Sequence, residues 1–600
     1  MSKLPPRTHR LDFPDLGRDL VAHDGETIFQ AARRSGVRIV GACGGRGTCG
    51  SCMVRIPEGH VEDLEGKGQS WRKRWQRACR IQAKRDCTVE IAPRSLAPGA
   101  RAEIGHDGGQ CLTAAPRVSA VEVAVAAATL ADPKADLERV TEALARPIGA
   151  VELSAARQLP ALLRQHGWAV RARFLDDTVI GFAPPGSPNL GLAVDLGTTN
   201  LAAFLVDLDD GKRLAGIGVE NPQVGWGADL ISRINYASRS AEGAAELRTA
   251  VLNGLNGLAH DLCHAVGADQ ANIVDAVICG NTAMHHLLAG LPVHQLGRAP
   301  FVAALQSAID ITAAELGLDI CPGARVHLAA NIGGFVGGDH VTALLATEDR
   351  WQSGTSLVMD IGTNTEISVI HDGRILSASC PSGPALEGGH ISCGMRAADG
   401  AIERVSLVQG RIAVKTIGGL PPVGLCGSGV LDAVASLHRA GIVDDRGRLS
   451  AGHPDVAQVD GKRVAVLGPE VHFSQEDIRA VQLAKAAIRT GTELLLRQAG
   501  VQEADIDRFI IAGAFGSYID VASGIAIGLF PDLPRERFEQ VGNAAGLGVC
   551  RMLASRHDLQ RGRELAAEAR YVELSTIPQF QKAFLNNIGF PTQSHSRIAS

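Results

Sequence analysis

Two similar stretches decide the fold of this chain: GLAVDLGTTNLAAFLVDL at residues 191–208 and SLVMDIGTNTEISVI at residues 356–370. Each reads as an apolar strand that ends in Asp-x-Gly-Thr and is followed by a second apolar strand, which predicts a β-hairpin with a tight turn. Backbone N–H groups and a threonine hydroxyl in such a turn can hold a phosphate. One such turn is weak support. Two in matched contexts predict duplicated lobes with a nucleotide in the cleft between them.

The two turns supply most of the residues that we expect to act on the nucleotide. Asp195 and Asp360 are placed to orient Mg²⁺ or its bound waters, and Thr198 and Thr363 are predicted to act with them in catalysis. The nucleotide-binding residues predicted in the same turns are Gly197, Thr199, Asn200, Gly362 and Asn364.

Four further segments combine glycines with the start of a helix or the end of a strand. They are ICGNTAMHHLL at 278–288, NIGGFVGGDHVTALLA at 331–346, GLCGSGVLDAV at 424–434 and FIIAGAFGSYID at 509–520. Glycines let the chain approach a ligand closely, and helix starts favour anions. Ordinary strand–helix packing is the alternative for each turn alone. The nucleotide-binding residues predicted here are Gly280, Asn281, Gly338, Asp339, Gly427, Gly513 and Gly516.

The last of these segments resembles the adenosine motif of the superfamily of actin, sugar kinases and heat-shock chaperones. That resemblance implies an actin-like ATPase fold, with ATP and Mg²⁺ as ligands, for the C-terminal part of the chain.

Four cysteines near the N-terminus predict a second cofactor. The stretch GACGGRGTCGSC at residues 41–52 is followed by a cysteine 27 positions later, which gives the ligand set Cys43, Cys49, Cys52 and Cys79. Four thiolates, three of them from one glycine-rich loop, suit a [2Fe–2S] cluster. The spacing Cys-x5-Cys-x2-Cys resembles the adrenodoxin-like variant. Zinc is the rival, but zinc sites usually use two short Cys-x2–4-Cys pairs. Cys87 reads as a buried inert thiol.

The order of patterns predicts several domains, since 600 residues are too many for one core. We expect a β-grasp ferredoxin-like domain at 1–92, a linker rich in Pro and Gly at 93–112, a small α/β middle domain at 113–186, and a duplicated actin-like ATPase at 187–600. The fold class is therefore multidomain α/β and α+β.

Composition narrows the function classes. A formal charge of −5 argues against a nucleic-acid partner, and no apolar run is long enough for a membrane helix. Thirteen cysteines without a secretory signal predict reduced thiols in the cytoplasm.

Nearly the whole chain resembles the reductive activators of corrinoid-dependent methyltransferases. The strings that carry the resemblance include DLGTTN, NPQVGWGADLISRI (221–234), LGRAPF (296–301), DIGTNTEI, SGPALEGGHISCGMRAADGAI (382–402) and AGAFGSYID. The resemblance implies an ATP-hydrolysing enzyme that passes one electron through the [2Fe–2S] cluster to an inactive Co(II) corrinoid and restores Co(I). It implies two partners: a corrinoid methyl-carrier protein, bound by residues 187–600, and a low-potential electron donor. A homodimer is left open.

Two segments are predicted to face partners. WRKRWQR at 71–77 contains Trp71 and Trp75 beside basic residues and suits an acidic electron donor; a solvated turn is the alternative. Ser382 opens a glycine-rich loop and is predicted to lie near cobalt, although this loop reads equally well as the turn after a strand.

Two other functions compete with corrinoid activation. One is an iron–sulfur redox sensor with a degenerate nucleotide fold, against which the intact turn residues argue. The other is an ATP-driven electron donor to a different low-potential reductase.

Overall fold

The computed structural model describes residues 8–35, 37, 39, 52–64, 75–92, 95, 101–102, 112–144, 146–227, 229–459, 461–513 and 516–592. The predicted ligands Cys43 and Cys49 and the predicted partner residue Trp71 lie outside these ranges. In the helices that the structure describes, no segment is both long enough and apolar enough to span a membrane.

The N-terminal unit is a five-stranded sheet packed on one helix. The first two strands form a hairpin, and the strand that contains Cys87 lies at the centre of the sheet, whose order is β2–β1–β7–β3–β5. Apolar side chains from the sheet and the helix form a separate core. The elements are β1 Thr8–Phe13, β2 Arg18–His23, α1 Ile28–Arg34, β3 Met53–Glu58, β4 Val61–Asp63, β5 Gln76–Arg77, β6 Ile81–Ala83 and β7 Cys87–Ile91.

The predicted linker contains a short strand, which sequence reasoning missed. Strand β8, Arg101–Ala102, pairs antiparallel with Ala215 and Gly216 at the edge of a sheet in the ATPase part. The strand propensity of these two residues does not indicate a strand. They form one because the edge of a sheet that is distant in sequence offers unpaired backbone groups. The tether between the two units is therefore shorter than the predicted linker.

A small α/β domain follows, with helices on a four-stranded sheet of order β10–β12–β11–β9. Its elements are β9 Val118–Ala124, α2 Asp136–Ala143, β10 Ala150–Val151, α3 Leu153–Gln165, β11 Ala169–Leu175 and β12 Thr178–Ala183.

The first lobe of the ATPase part, here called lobe I, spans residues 188–351. Its sheet has the order β17–β18–β16–β13–β14–β15–β8, with the first predicted hairpin, β13–β14, near the centre. Its own elements are β13 Leu190–Leu196, β14 Asn200–Asp207, β15 Arg213–Glu220, α4 Leu230–Ala237, α5 Ala241–Val266, β16 Ile273–Gly280, α6 Thr282–Ala289, β17 Ile309–Thr312, α7 Ala313–Leu316, β18 Arg325–Leu328, α8 Gly338–Ala346 and α9 Glu348–Trp351.

The second lobe, lobe II, spans residues 355–592 and repeats the hairpin in a sheet of order β29–β28–β19–β20–β21–β30. Helices α13 and α14 return to pack on the core of lobe I. Its elements are β19 Ser356–Ile361, β20 Thr365–His371, β21 Arg374–Cys380, β22 Ala401–Val408, β23 Arg411–Thr416, β24 Gly424–Leu425, α10 Gly427–Arg439, β25 Val456–Val459, β26 Lys462–Val466, β27 His472–Ser474, α11 Gln475–Ala499, β28 Arg508–Ala512, α12 Val521–Ala526, β29 Phe538–Gly542, α13 Ala544–Ala554, α14 Arg556–Glu568, β30 Ala569–Tyr571 and α15 Phe580–Asn586.

A buried ion pair fastens the small domain to lobe I. The guanidinium of Arg117, just before β9, lies 2.7 Å from the carboxylate of Asp275 and also contacts Asp310. The Asp275 side chain is 0% exposed, and burial raises its pKa while Arg117 lowers it. Removing one partner of a buried pair leaves the other charge without compensation.

We therefore expect Arg117→Met to lower the free energy of unfolding by about 3–5 kcal/mol, measured by denaturant unfolding. Lys134→Met is the matched control in the same domain, because Lys134 and Glu142 form a pair that is 40% and 64% exposed. Such a pair contributes at most about 1 kcal/mol. Equal losses in the two variants would show that the Arg117 pair does not hold the domains together.

Candidate functional site

The two predicted hairpin turns meet across the cleft between the lobes. Asp195 pairs across its hairpin with Ala202, and Asp360 pairs with Glu366 in the corresponding position of lobe II. The hydroxyls of Thr199 and Thr363 lie 2.6 Å apart. The duplicated sequences thus place two tight turns against one shared space, which is the arrangement expected for a phosphate chain.

Carboxyl groups from both lobes line this space. Burial, and then the negative charge of Asp339, raises the pKa of Asp195 to about 7. Burial raises the pKa of Asp339 to about 6. Burial and the charges of Asp339, Asp195 and Glu387 raise the pKa of Asp360 to about 8. Like charges held close together with little water between them favour their neutral forms, which is why these pKa values rise together.

Two acidic residues of this cluster were missed by sequence reasoning. Glu366 is 6% exposed, and burial followed by the charges of Asp339 and Asp360 holds its pKa well above the usual range. Glu387 accepts a hydrogen bond of 2.9 Å from the Thr363 hydroxyl. Glu366 lies within the DIGTNTEI string and could have been identified there. Glu387 comes from a separate loop, and only the tertiary fold brings it to the turn.

Buried polar side chains hold the first turn in place by donating hydrogen bonds to its carbonyl groups. Arg233 donates to the Thr198 carbonyl at 2.5 Å, and Asn221 donates to the Gly197 carbonyl at 2.8 Å. The amide of Asn543 hydrogen-bonds Asp195 and lowers its pKa. Asn543 was also missed, although Gly-Asn-x-Ala at residues 542–545 repeats the pattern at 280–283 and could have indicated it.

The adenosine-like turn approaches the second hairpin closely. Gly513 has a φ of +98°, and a Cβ there would lie 2.4 Å from the Ile361 carbonyl oxygen, so only glycine fits. Beyond this turn, lobe II encloses a cavity of about 180 Å³, whose lining residues include Arg404, Ser428, Tyr518 and Gln540. Gln540 also donates to the Gly516 carbonyl at 2.7 Å. A cavity of this size and polarity suits a planar nitrogenous base.

The other predicted nucleotide-binding residues differ in location: some lie at the carboxyl cluster or the cavity, and others support neighbouring loops. Gly338 begins α8, and Asp339, the second residue of that helix, belongs to the carboxyl cluster. Asn281 is 2% exposed, caps α6 and donates to the Phe335 carbonyl at 2.8 Å, so its amide supports a loop. Gly280 ends β16, and Gly427 begins α10 beside the cavity residue Ser428.

Ser382, which was predicted to face a partner near cobalt, lies against the second hairpin in this structure. It is 7% exposed, and its hydroxyl lies 3.0 Å from the Thr365 hydroxyl and 3.2 Å from the Gly362 and Thr363 carbonyls. A serine two residues after a strand can turn its hydroxyl back onto a neighbouring tight turn. In this structure Ser382 therefore braces the second hairpin.

Two of the four predicted cluster cysteines are described, and they lie together. The Cys52 and Cys79 sulfurs are 3.3 Å apart, and each residue is 1% exposed. This distance exceeds that of a disulfide, about 2.05 Å, and is short enough for both sulfurs to reach one metal centre. Cys87 is 4% exposed, and burial raises the pKa of its thiol, as expected for an inert core cysteine. The described pair thus fits an iron–sulfur ligand set. Trp75 is 38% exposed and lies under the guanidinium of Arg55.

Comparison with known families matches successive segments of the chain to four family models, in the same order as the units of the fold. The matches are the 2Fe-2S iron-sulfur cluster binding domain at residues 14–84, the RACo linker region at 110–187, the RACo middle region at 190–349, and the C-terminal domain of RACo, the ASKHA domain, at 354–600. The RACo linker region thus covers the folded small α/β domain.

Full-length relatives decide the family. The corrinoid activation enzyme RamQ of Eubacterium limosum is 30% identical and aligns over 97% of this chain and 99% of its own length. A solved reductive activator for corrinoid, iron-sulfur protein is 31% identical, with a TM-score of 0.73, over 97% of this chain and 98% of that one. The chain belongs to the reductive activators of corrinoid proteins. A more distant relative, the [Co(II) methylated amine-specific corrinoid protein] reductase of Methanosarcina barkeri, is 24% identical over 67% of this chain and 77% of its own.

Membership in the activator family confirms the resemblance drawn from the sequence, and it confirms the fold class of a ferredoxin domain joined to an actin-like ATPase fold. In this activator, Mg²⁺ would be held by phosphate oxygens with one or two carboxylates of the cluster. In the described ranges, no three His, Cys, Asp or Glu side chains are arranged to hold a metal ion.

The raised carboxyl pKa values predict how the activator's stability depends on pH. In the unfolded chain aspartates titrate near pH 3.9, whereas Asp195 and Asp360 in the folded state titrate at about 7 and about 8. The folded state therefore binds more protons between these limits, and stability must fall as pH rises through them. Without Mg²⁺ and nucleotide, we expect the midpoint temperature of thermal unfolding to decrease as the pH is raised from 5 to 8.

Asp360→Asn removes one of the two titrating carboxyl groups. The midpoint temperature of this variant should therefore decrease less steeply between pH 5 and pH 8. The exposed turn residue Asp372, changed to Asn, serves as the control and should leave the slope unchanged. A midpoint that rises across this range, or equal slopes in the two variants, would contradict the assignment of the buried carboxyl cluster.

Proposed function

We propose that this chain is an ATP-dependent reductive activator that delivers one electron through a [2Fe–2S] cluster to the Co(II) corrinoid of a methyl-carrier protein and restores Co(I). One observation carries the proposal: a ferredoxin unit with a buried cysteine pair shares a chain with a carboxyl-lined cleft between two hairpin turns whose hydroxyls lie 2.6 Å apart. The relatives named above, a corrinoid activation enzyme and a corrinoid protein reductase, support it.

The two halves have separate tasks in this proposal. The cluster, bound by Cys43, Cys49, Cys52 and Cys79, supplies single electrons at a potential that for plant-type clusters is near −400 mV. The two lobes bind the nucleotide. The hairpin turns hold its phosphates, and Asp195 and Asp360 orient Mg²⁺ or the attacking water. The cavity of about 180 Å³ in lobe II binds the base. ATP can drive an uphill reduction only if it favours one conformation of the complex over another.

Two proteins are the partners in this scheme, a corrinoid methyl carrier and a low-potential electron donor. A groove of about 1200 Å³ separates the ferredoxin helix α1 from lobe I, with Phe29 on one wall and Trp226 on the other. The Met53 N–H donates to the Ser95 hydroxyl at 2.9 Å, so the tether runs from Ser95 to Arg101 and can span at most about 20 Å. Movement of the ferredoxin unit toward the corrinoid is therefore limited by these residues and by the anchoring of β8 on β15.

The tether gives a test of the proposal. Deleting residues 97–100 should slow Co(II) reduction several-fold and leave ATP hydrolysis nearly unchanged, because only the first process needs the cluster to approach the corrin. Both rates are measured on the full chain with a Co(II) corrinoid protein and a reduced artificial donor. A four-residue Gly-Ser replacement of 97–100 is the length-matched control and should retain the reduction rate. Loss of hydrolysis in the deletion, or unchanged reduction, would contradict the proposed division of tasks.

A further inference from the structure

An arginine of lobe II reaches across the cleft to the first hairpin. The Arg396 guanidinium donates to the side-chain oxygen of Asn200 at 2.5 Å and lies 4.0 Å from the carboxylate of Glu220. Asn200 is the residue at which the first turn becomes strand β14. Arg396 was not among the residues predicted from the sequence, although it lies within the string at 382–402.

The same guanidinium also influences the second hairpin. Burial raises the pKa of Glu387, and the hydrogen bond of 2.9 Å from the Thr363 hydroxyl and the positive charge of Arg396 both oppose that rise. Arg396 therefore stands between a turn of lobe I and a turn of lobe II. The side chains around it are acidic, and a polyphosphate entering this space would need a nearby cation.

The backbone beside Arg396 is fixed while its side chain is accessible. The Met395 N–H donates to the Leu425 carbonyl at 2.8 Å, and the Leu425 N–H donates to the Cys393 carbonyl at 2.8 Å. The Ser392 N–H donates to the Asp477 carboxylate at 2.8 Å. The Arg396 side chain is 35% exposed. A partly exposed side chain on a fixed backbone can exchange partners without a change in the loop.

The direction of a bound nucleotide indicates which phosphate Arg396 would meet. The cavity suited to the base belongs to lobe II, beyond Gly513. A Cβ at Gly513 would lie 3.0 Å from a carboxylate oxygen of Asp360, so the phosphates of a nucleotide seated there would run past Asp360 toward lobe I. The phosphate farthest from the base would then be the nearest to Asn200, which Arg396 contacts.

We propose that Arg396 binds the terminal phosphate of a nucleoside triphosphate in the cleft, leaving Asn200 and Glu220 when that phosphate enters. The inference rests on the proposed nucleotide site and adds a residue that distinguishes triphosphate from diphosphate. Because the arginine belongs to lobe II and its present partners belong to lobe I, the exchange links the terminal phosphate to the contact between the lobes.

The test compares the affinity of the full chain for a Mg²⁺-bound non-hydrolysable ATP analogue and for Mg²⁺-bound ADP. In Arg396→Ala we expect the analogue to bind about tenfold more weakly, the loss of one charge-assisted contact, with ADP affinity changed by less than about twofold. Arg396→Lys keeps the charge and should fall between the two. Arg374→Ala is the control, since this exposed arginine begins β21 at the end opposite the turn.

Two outcomes would overturn the inference. Equal weakening of analogue and ADP would assign Arg396 a structural role, and unchanged affinity for both would show that it does not touch the nucleotide. Failure of the proposed function looks different, because the unaltered chain would then bind neither nucleotide.

Discussion

Changing Cys79 to serine is expected to remove the iron–sulfur cluster and abolish electron delivery, while nucleotide binding is retained. A serine hydroxyl is a harder and far less acidic ligand than a thiol and holds iron much more weakly than a thiolate does. Cys79 lies 3.3 Å from Cys52 in the core of the ferredoxin unit, and the carboxyl cluster lies in separate lobes. Iron and acid-labile sulfide should fall from two of each per chain to near zero.

Cys87→Ser separates loss of the cluster from loss of folding. Cys87 is in the same core and is 4% exposed, but its sulfur contacts the carbonyl oxygens of His60 and Arg85. This variant should keep its iron and its visible spectrum. A full cluster in Cys79→Ser would remove Cys79 from the ligand set, and loss of iron in both variants would show that the core tolerates no serine.

The second large effect concerns ATP hydrolysis. Asp195→Asn and Asp360→Asn should each lower turnover by about 10² or more, because a carboxylate that orients the metal or the attacking water acts mainly in the transition state. Nucleotide affinity should fall less. Phosphate release is measured with the Co(II) corrinoid protein present.

Asp372→Asn is the control for these substitutions, since Asp372 is exposed in the turn between β20 and β21. It should hydrolyse ATP at the rate of the unaltered chain. Unchanged turnover in both Asp195→Asn and Asp360→Asn would mean that the hairpin turns do not hold the phosphates.

The hairpins could be predicted because their signal is local. An apolar run, an acidic residue, a glycine and a threonine follow one another at fixed spacing, and the turn that results depends little on the rest of the chain. The same holds for helix α8, where glycines and Asp339 mark the start. The strand at Arg101–Ala102 could not be predicted, because it exists only where an edge of the lobe I sheet accepts it.

The rest of the site depends on contacts between distant segments. Glu387 reaches Thr363, and Arg396 reaches Asn200, only after the two lobes have folded against each other. Ser382 shows the converse: a polar, glycine-rich loop suggested a surface role, yet its hydroxyl is used within 3.2 Å by the second hairpin. Composition describes what a loop can do, and packing decides which partner it meets.

The central claim is that ATP drives an electron from the iron–sulfur unit to cobalt, and the optical spectrum of the corrinoid tests it most directly. The full chain, reduced by an artificial donor under anaerobic conditions, is mixed with a Co(II) corrinoid protein, with and without Mg²⁺-bound ATP. We predict that Co(I) accumulates only with ATP and that Cys79→Ser yields none under either condition. Co(I) formation at the same rate without ATP, or at the full rate in Cys79→Ser, would contradict the account.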